Sequence, residues 1–341
     1  MTLNKKTIIV VTLTAVCLSA VAFFYFNREE PFDLIPPYAN LEQTDDVDAI
    51  TPLPVDMSFD NQKVELGQRL FNDPTLSSDG TVSCAHCHNL ASAGADHQMH
   101  SRGVGGKEGI INTPTVFNSS FNFRQFWNGR AETLEEQMDG PLQNPSEMNI
   151  TWSQVITRLS ADQHYRAQFN VIYPDGIKQD NVKDAIASFE RSLVTPNSRF
   201  DRFLRGEKTA LTADEQRGYS LFQQLGCISC HQGRNIGGNM YQKLGVMENY
   251  FAYRGNLTQA DMGRFNVTKQ ESDRYFFKVP SLRNVAVTPP YLHDGSAKNL
   301  NDAVKVMVRF QLGRTLDERE VHEIVAFLST LTGEYKGKRL E

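Results

Sequence analysis

Two pentapeptides of the form Cys-x-x-Cys-His stand in a chain with only five cysteines: Cys84-Ala85-His86-Cys87-His88 and Cys227-Ile228-Ser229-Cys230-His231. Two cysteines at this spacing can hold a porphyrin through thioether bonds, and the adjoining histidine then meets the iron, which is the attachment signature of a c-type haem. A zinc site made of the four cysteines would leave both histidines unexplained, and so would a redox disulfide. The chain is therefore expected to carry two covalently bound c-type haems, with His88 and His231 as ligands, and to be a redox protein.

The length of 341 residues accommodates two ordinary domains, and a formal net charge of −5 gives no basic surface for nucleic acid. Lys5 and Lys6 precede an apolar run over 7–26, about the length that spans a bilayer. Positive charge before such a run stays cytoplasmic, which sends the rest of the chain across the membrane. Ala20-Val21-Ala22 resembles a signal cleavage site, but Phe23-Phe24-Tyr25-Phe26 prolongs the apolar stretch past it. Residues 1–27 are thus read as a membrane anchor, with a cleaved signal peptide as the alternative; both lead to the periplasm. Cys17 within this run is read as a small apolar residue. The proline-punctuated stretch 28–57 reads as an extended linker.

An internal echo follows. Gly67-Gln68-Arg69-Leu70-Phe71 precedes the first motif and Gly218-Tyr219-Ser220-Leu221-Phe222 the second; a shared Gly-x-x-Leu-Phe on helical stretches suggests two copies of one unit. Apolar spacing predicts further helices over 182–194, 300–310 and 317–330, the last capped by Asp317. No series of alternating strands is visible. The expected class is mainly α, with two cytochrome c-like domains over 58–200 and 201–341 that meet where Pro196-Asn197-Ser198 and Arg205-Gly206-Glu207 break the pattern.

Beyond the haem motifs, two stretches carry a family likeness. One is Gln125-Phe126-Trp127-Asn128-Gly129-Arg130-Ala131, followed by Gln137, Gly140-Pro141 and Glu147-Met148; the other is Pro280-Ser281-Leu282-Arg283-Asn284-Val285, running into Thr288-Pro289-Pro290-Tyr291-Leu292-His293-Asp294-Gly295. Together they resemble the bacterial dihaem cytochrome c peroxidases, from about residue 58 to the C-terminus; that superfamily includes MauG, which oxidises residues of a partner protein. The resemblance implies hydrogen peroxide as substrate, a small cytochrome c or copper protein as electron donor, and commonly a homodimer. It implies that the first haem, on His88, is the peroxide centre, with Glu147 as acid–base group and Gln137 as hydrogen-bond partner. A carboxylate there can take a proton from one peroxide oxygen and return it to the other.

The second haem, on His231, is then the electron-entry centre, and a thioether as sixth ligand would raise its potential. Spacing alone does not choose among Met240, Met247, Met262 and Met307; the family places its ligand fourteen residues after the histidine of Tyr-x-His-Asp-Gly, which gives Met307. MauG has tyrosine there, so Met307 leans toward the peroxidases. Trp127 matches the aromatic between the haems, and Asn112 with the carbonyls of Thr288 and Pro290 matches a Ca²⁺ position, whose oxygen ligands suit that ion. Trp152 is assigned to packing, and His293 to support of the second haem or the interface.

The chain departs from the family at Val104, in Ser101-Arg102-Gly103-Val104-Gly105-Gly106, where many members carry a second histidine that blocks the first haem until the other is reduced. Valine cannot ligate iron. An open first site with no need for reductive activation is expected, unless His97 or His100 substitutes. A MauG-like oxidase acting on Trp or Tyr, and a dihaem electron carrier, are the alternatives.

Overall fold

The computed structural model describes residues 49–341; the anchor or signal segment and most of the linker lie outside the described residues. Among the described residues no helix is long and apolar enough to cross a membrane.

The fold is mainly helical. Its longer helices are α1 (Asn61–Phe71), α2 (Trp152–Ala161), α3 (Gln163–Ile172), α4 (Gln179–Ser192), α5 (Ala213–Gln224), α6 (Leu300–Leu312) and α7 (Glu318–Ser329). Two small antiparallel ribbons join them: β1 (Tyr241–Lys243) pairs with β2 (Phe276–Lys278), and β3 (Glu334–Tyr335) with β4 (Lys338–Arg339). The three expected helices are present, and Asp317 caps α7 through a reciprocal box with Glu320. The box satisfies backbone N–H groups that the first helical turn leaves unpaired.

The repeated Gly-x-x-Leu-Phe has a packing reason. A Cβ on Gly67 would stand 1.9 Å from the Ala185 carbonyl oxygen of α4, and one on Gly218 would stand 1.9 Å from the Glu323 carbonyl oxygen of α7. Each glycine therefore lets its helix cross a partner at backbone contact, α1 on α4 and α5 on α7. The following Leu70, Phe71 and Phe222 fill the adjoining cores.

One hydrophobic cluster gathers side chains between Leu66 and Leu193, and a second gathers those between Phe200 and Leu331. The two ends of the described residues cross over: Ile50 joins the second cluster and Leu340 the first. Residues 49–53, at the end of the stretch read as a linker, are docked rather than free. Leu53 N–H donates to the Asp201 carboxylate at 3.1 Å, and the buried Arg283 guanidinium joins Asp201 at 2.6 Å to the Thr51 carbonyl at 3.1 Å. A third, aromatic cluster of Tyr250, Phe251, Phe277 and Phe310 packs against Trp127.

The duplication reaches further than the helices. Asn118 and Asn284 both adopt φ 61, Phe126 and Leu292 adopt φ 69 and 71, and Gly129 and Gly295 adopt φ 64 and 65. The bridges Gln125–Ala131 and Tyr291–Ala297 close matching turns. Both asparagine side chains converge on Thr195 Oγ1, donating to it at 2.8 and 3.0 Å.

Candidate active site

Each Cys-x-x-Cys-His motif forms a short helical turn C-terminal to its glycine-bearing helix: Cys84–Cys87 after Ser83, separated from α1 by the turn Pro74–Leu76 and a loop, and Cys227–Ser229 entered directly from α5 through Gly226 at φ 85. The four cysteines are free and half-buried. Burial pushes the Cys84 thiol up to about 12 and those of Cys87 and Cys227 up to about 11, so all three are neutral sulfur.

His88 Nδ1 lies 3.3 Å from the Gly94 carbonyl and His231 Nδ1 lies 3.4 Å from that of Ile236. A carbonyl only accepts, so Nδ1 carries the proton in both rings and Nε2 is left with its lone pair. That is the arrangement by which a second-shell carbonyl orients a metal-ligating imidazole. Burial lowers the basicity of both rings, that of His231 to about 4, so each is neutral and able to coordinate. Free sulfurs, a bare Nε2 and an apolar surround fit a covalently bound haem in each half.

Glu147 sits on the turn after the helical stretch Asp139–Gln143. Asn144 Nδ2 donates to its Oε1 at 2.5 Å, and its main-chain carbonyl accepts from Val104 N–H at 2.8 Å. Burial pushes the carboxyl above its ordinary value, with the Asn144 bond and the Arg130 charge opposing. Its charge acts on Cys87, which places the carboxylate on the side of the first motif. Gln137 ends the short helix Leu134–Gln137 and is half-buried. Val104 is 4% exposed and belongs to the first core. His97 donates from Nε2 to the Ser92 carbonyl at 3.0 Å, and His100 Nδ1 lies 3.3 Å from Glu108.

Trp127 donates its indole N–H to the Asn112 carbonyl at 2.9 Å. Asn112 is buried; its amide N–H donates to the His293 carbonyl at 2.8 Å and its Nδ2 to the Gln98 carbonyl at 3.0 Å. Its Oδ1 and the carbonyls of Thr288 and Pro290 accept no hydrogen bond among the described residues. Three unengaged oxygens of this kind suit a hard cation. Trp152 donates to Asp139 at 2.7 Å and packs in the first core, as expected of a structural residue.

In the second half, Val304 and Val308 of α6 pack in the cluster that also holds Cys227 and Ile228, and Met307 lies half-buried between them in sequence. Of the other candidates, Met262 accepts from Arg274 at 3.0 Å and Met247 is 63% exposed, while Met240 is half-buried as Met307 is. His293 is buried with Nε2 2.7 Å from Asp261, whose other oxygen takes Arg254 at 2.6 Å. Asp261, Asn144 and Arg130 were not singled out from sequence as supports of His293 or Glu147. Asn144 stands three residues before Glu147, a local contact, whereas only the fold brings Arg130 toward Glu147 and Asp261 against His293. The repeated Pro-(Ser/Thr)-aliphatic-x-Asn, in Pro114-Thr115-Val116-Phe117-Asn118 and Pro280-Ser281-Leu282-Arg283-Asn284, is a signal that would have exposed the wider duplication.

These features define a haem-binding redox protein of cytochrome c type. A family model described as di-haem cytochrome c peroxidase matches residues 61–209. The chain is 48% identical over 287 residues to Cytochrome c peroxidase Ccp of Escherichia coli (strain K12), a match covering 84% of this chain and 61% of that protein. It is 46% identical over 289 residues to Cytochrome c551 peroxidase of Nitrosomonas europaea, covering 84% of this chain and 83% of the relative. The crystal structure of a MauG-like protein associated with microbial copper homeostasis superposes with TM-score 0.70 at 28% identity, covering 84% of this chain and 93% of that one. The chain belongs to the di-haem cytochrome c peroxidase family, a family of haem oxidoreductases.

Proposed function

We propose that the chain is a periplasmic peroxidase that reduces hydrogen peroxide to water with electrons taken singly from a small cytochrome c or copper protein. The observation that carries this reading is Glu147, a half-buried carboxylate whose charge reaches Cys87 of the first motif, with one oxygen held by Asn144 and its main chain fixing Val104. When bound on His88, the first haem supplies the iron at which the peroxide O–O bond is reduced. Glu147 takes the proton from one peroxide oxygen and returns it to the other, so that water leaves; its raised affinity for a proton suits both halves of that transfer. Gln137 holds the peroxide by hydrogen bonding.

On this reading residues 58–200 form the peroxide domain and residues 201–341 the electron-entry domain, where His231 and Met307 would hold the second haem. The engagement of Met262 with Arg274 and the exposure of Met247 support Met307 in that role. Trp127 lies on the route between the two centres. Ca²⁺ would be held by Asn112 Oδ1 and the Thr288 and Pro290 carbonyls, which keeps Asn112 in place under the Trp127 indole. The N-terminal segment holds the protein at the inner membrane.

Replacing Glu147→Gln tests the reading. Peroxide turnover should fall by roughly 10²- to 10⁴-fold, the usual worth of a general acid–base group, while haem content and reduced spectra stay at wild-type values. Unchanged turnover would remove Glu147 from the chemistry. Absence of peroxide turnover in the wild type would favour an electron carrier.

A further inference from the structure

Lys278 is 8% exposed on β2, yet its ammonium has no hydrogen bond or ion pair among the described residues. Burial alone acts on it, drawing its pKa down to about 8. The stem is packed away while Nζ itself is not sealed off by protein; a cation with so little water around it is as a rule paired with an anion. Its cross-strand neighbour Tyr241 does not compensate, because that hydroxyl already accepts from Arg264 at 2.6 Å and donates to the Gly129 carbonyl at 3.1 Å.

The duplicated scaffold says what this position is. Asn112 stands two residues before Pro114 in the first half, and Lys278 two residues before Pro280 in the second. The main-chain bonds cross between the matching turns: Asn112 N–H donates to the His293 carbonyl at 2.8 Å, and Lys278 N–H donates to the Trp127 carbonyl at 2.8 Å. One of the two equivalent positions thus carries a side chain with a free oxygen, suited to holding a cation. The other carries a cation of its own.

Two contacts tie the Lys278 ribbon to the second motif. The Pro280 carbonyl faces the His231 ring, and Gln242 on β1 reaches Cys230 Sγ at 3.8 Å. Haem brings propionate carboxylates, anions of the chemistry that an unpaired ammonium on a buried stem lacks.

We propose that Lys278 is the built-in counter-cation of a propionate of the second haem, occupying the position that its duplicate, Asn112, offers to a bound metal ion. The assignment rests on the two-haem reading above. A positive charge beside the propionate favours the reduced iron and so raises the potential of the electron-entry centre relative to a neutral site.

The test is spectroelectrochemical titration of both haems in wild-type holoprotein and in Lys278→Gln and Lys278→Arg. The Gln variant should disfavour the reduced second haem about tenfold or more, a fall of about 59 mV per tenfold for a one-electron couple. The first haem should be unmoved, and Lys278→Arg should keep the second potential near wild type. An unshifted second haem in the Gln variant, or an equal shift in both haems, overturns the assignment. Should Lys278→Gln fail to fold, the propionate-bending band of the second haem in resonance Raman spectra gives an independent reading. It should move between wild type and Lys278→Arg, and an unmoved band overturns the proposal. Fewer than two haems per wild-type chain in a pyridine haemochrome assay would instead break the two-haem reading itself.

Discussion

The rings of Trp127 and His293 lie 6.4 Å apart at an interplanar angle of 72°, each at the corner of one copy of the same duplicated turn. The copies have diverged in chemistry while keeping their backbone. One corner holds an indole whose N–H is fixed by the Asn112 carbonyl, and the other a buried imidazole fixed by Asp261. On the proposed electron route the Trp127 indole would relay charge, which a phenyl ring of similar shape does less readily. Trp127→Phe should therefore slow steady-state peroxide turnover by about tenfold, some 1.4 kcal/mol in barrier, with both haem spectra preserved. Stopped-flow reduction of the peroxide-treated enzyme checks this, and wild-type kinetics would take Trp127 off the electron route.

Val104 has its amide on Glu147 and its side chain in the first core, while His97 and His100 are engaged with Ser92 and Glu108. The fully oxidised enzyme should thus turn over peroxide as fast without prior one-electron reduction as with it. Its electron paramagnetic resonance spectrum should contain high-spin ferric iron. A purely low-spin spectrum, with activity only after pre-reduction, would mean that a histidine reaches the first iron despite these contacts.

Backbone contact at Gly218 allows α5 to cross α7, and a methyl there would meet the Glu323 carbonyl at 1.9 Å. Gly218→Ala must push the helices apart or bend one of them, so a loss of about 1–3 kcal/mol or more is expected. Gly67→Ala should cost a similar amount against Ala185. Denaturant unfolding of the two variants measures this, and wild-type midpoints would show that the crossing has room to give.

Glu190 on α4 is 7% exposed, its Oε2 has no hydrogen-bond partner, and burial with help from Glu135 pushes its carboxyl up to about 8. The folded state therefore keeps a proton that the unfolded chain releases near the ordinary glutamate value. The resulting stability is fully present below that ordinary value and is lost as pH rises through about 8. Glu190→Gln should flatten the decline in unfolding free energy between roughly pH 5 and 8. Urea titrations across that range decide it; an unchanged slope would show that Glu190 ionises in the fold as it does in the unfolded chain.

Much of the protein is local chemistry and was legible as such. Cys84, Cys87 and His88, with their counterparts Cys227, Cys230 and His231, announce haem attachment because thioether formation and axial ligation need those groups within one turn. The cap at Asp317 and the apolar spacing of α4, α6 and α7 are likewise local. Glu147, Gln137 and Met307 were reached through family likeness, since a carboxylate, an amide or a thioether on a polar loop or helix carries no mark of its neighbours.

What the tertiary structure decided is which distant groups meet. It set Asp261 against His293, Trp127 against Asn112, and the Asn112 amide against the His293 carbonyl. It docked residues 49–53 onto Asp201 and Arg283. It also packed the Lys278 side chain away with no partner for its ammonium among the described residues. Sequence by itself determined the cofactor chemistry and the helical repeat, because bonding spacing and helical period act over a few residues. The pairing of buried charges and the crossing of the two turns depend on desolvation and packing between segments far apart in the chain, and only the folded chain brings those into force.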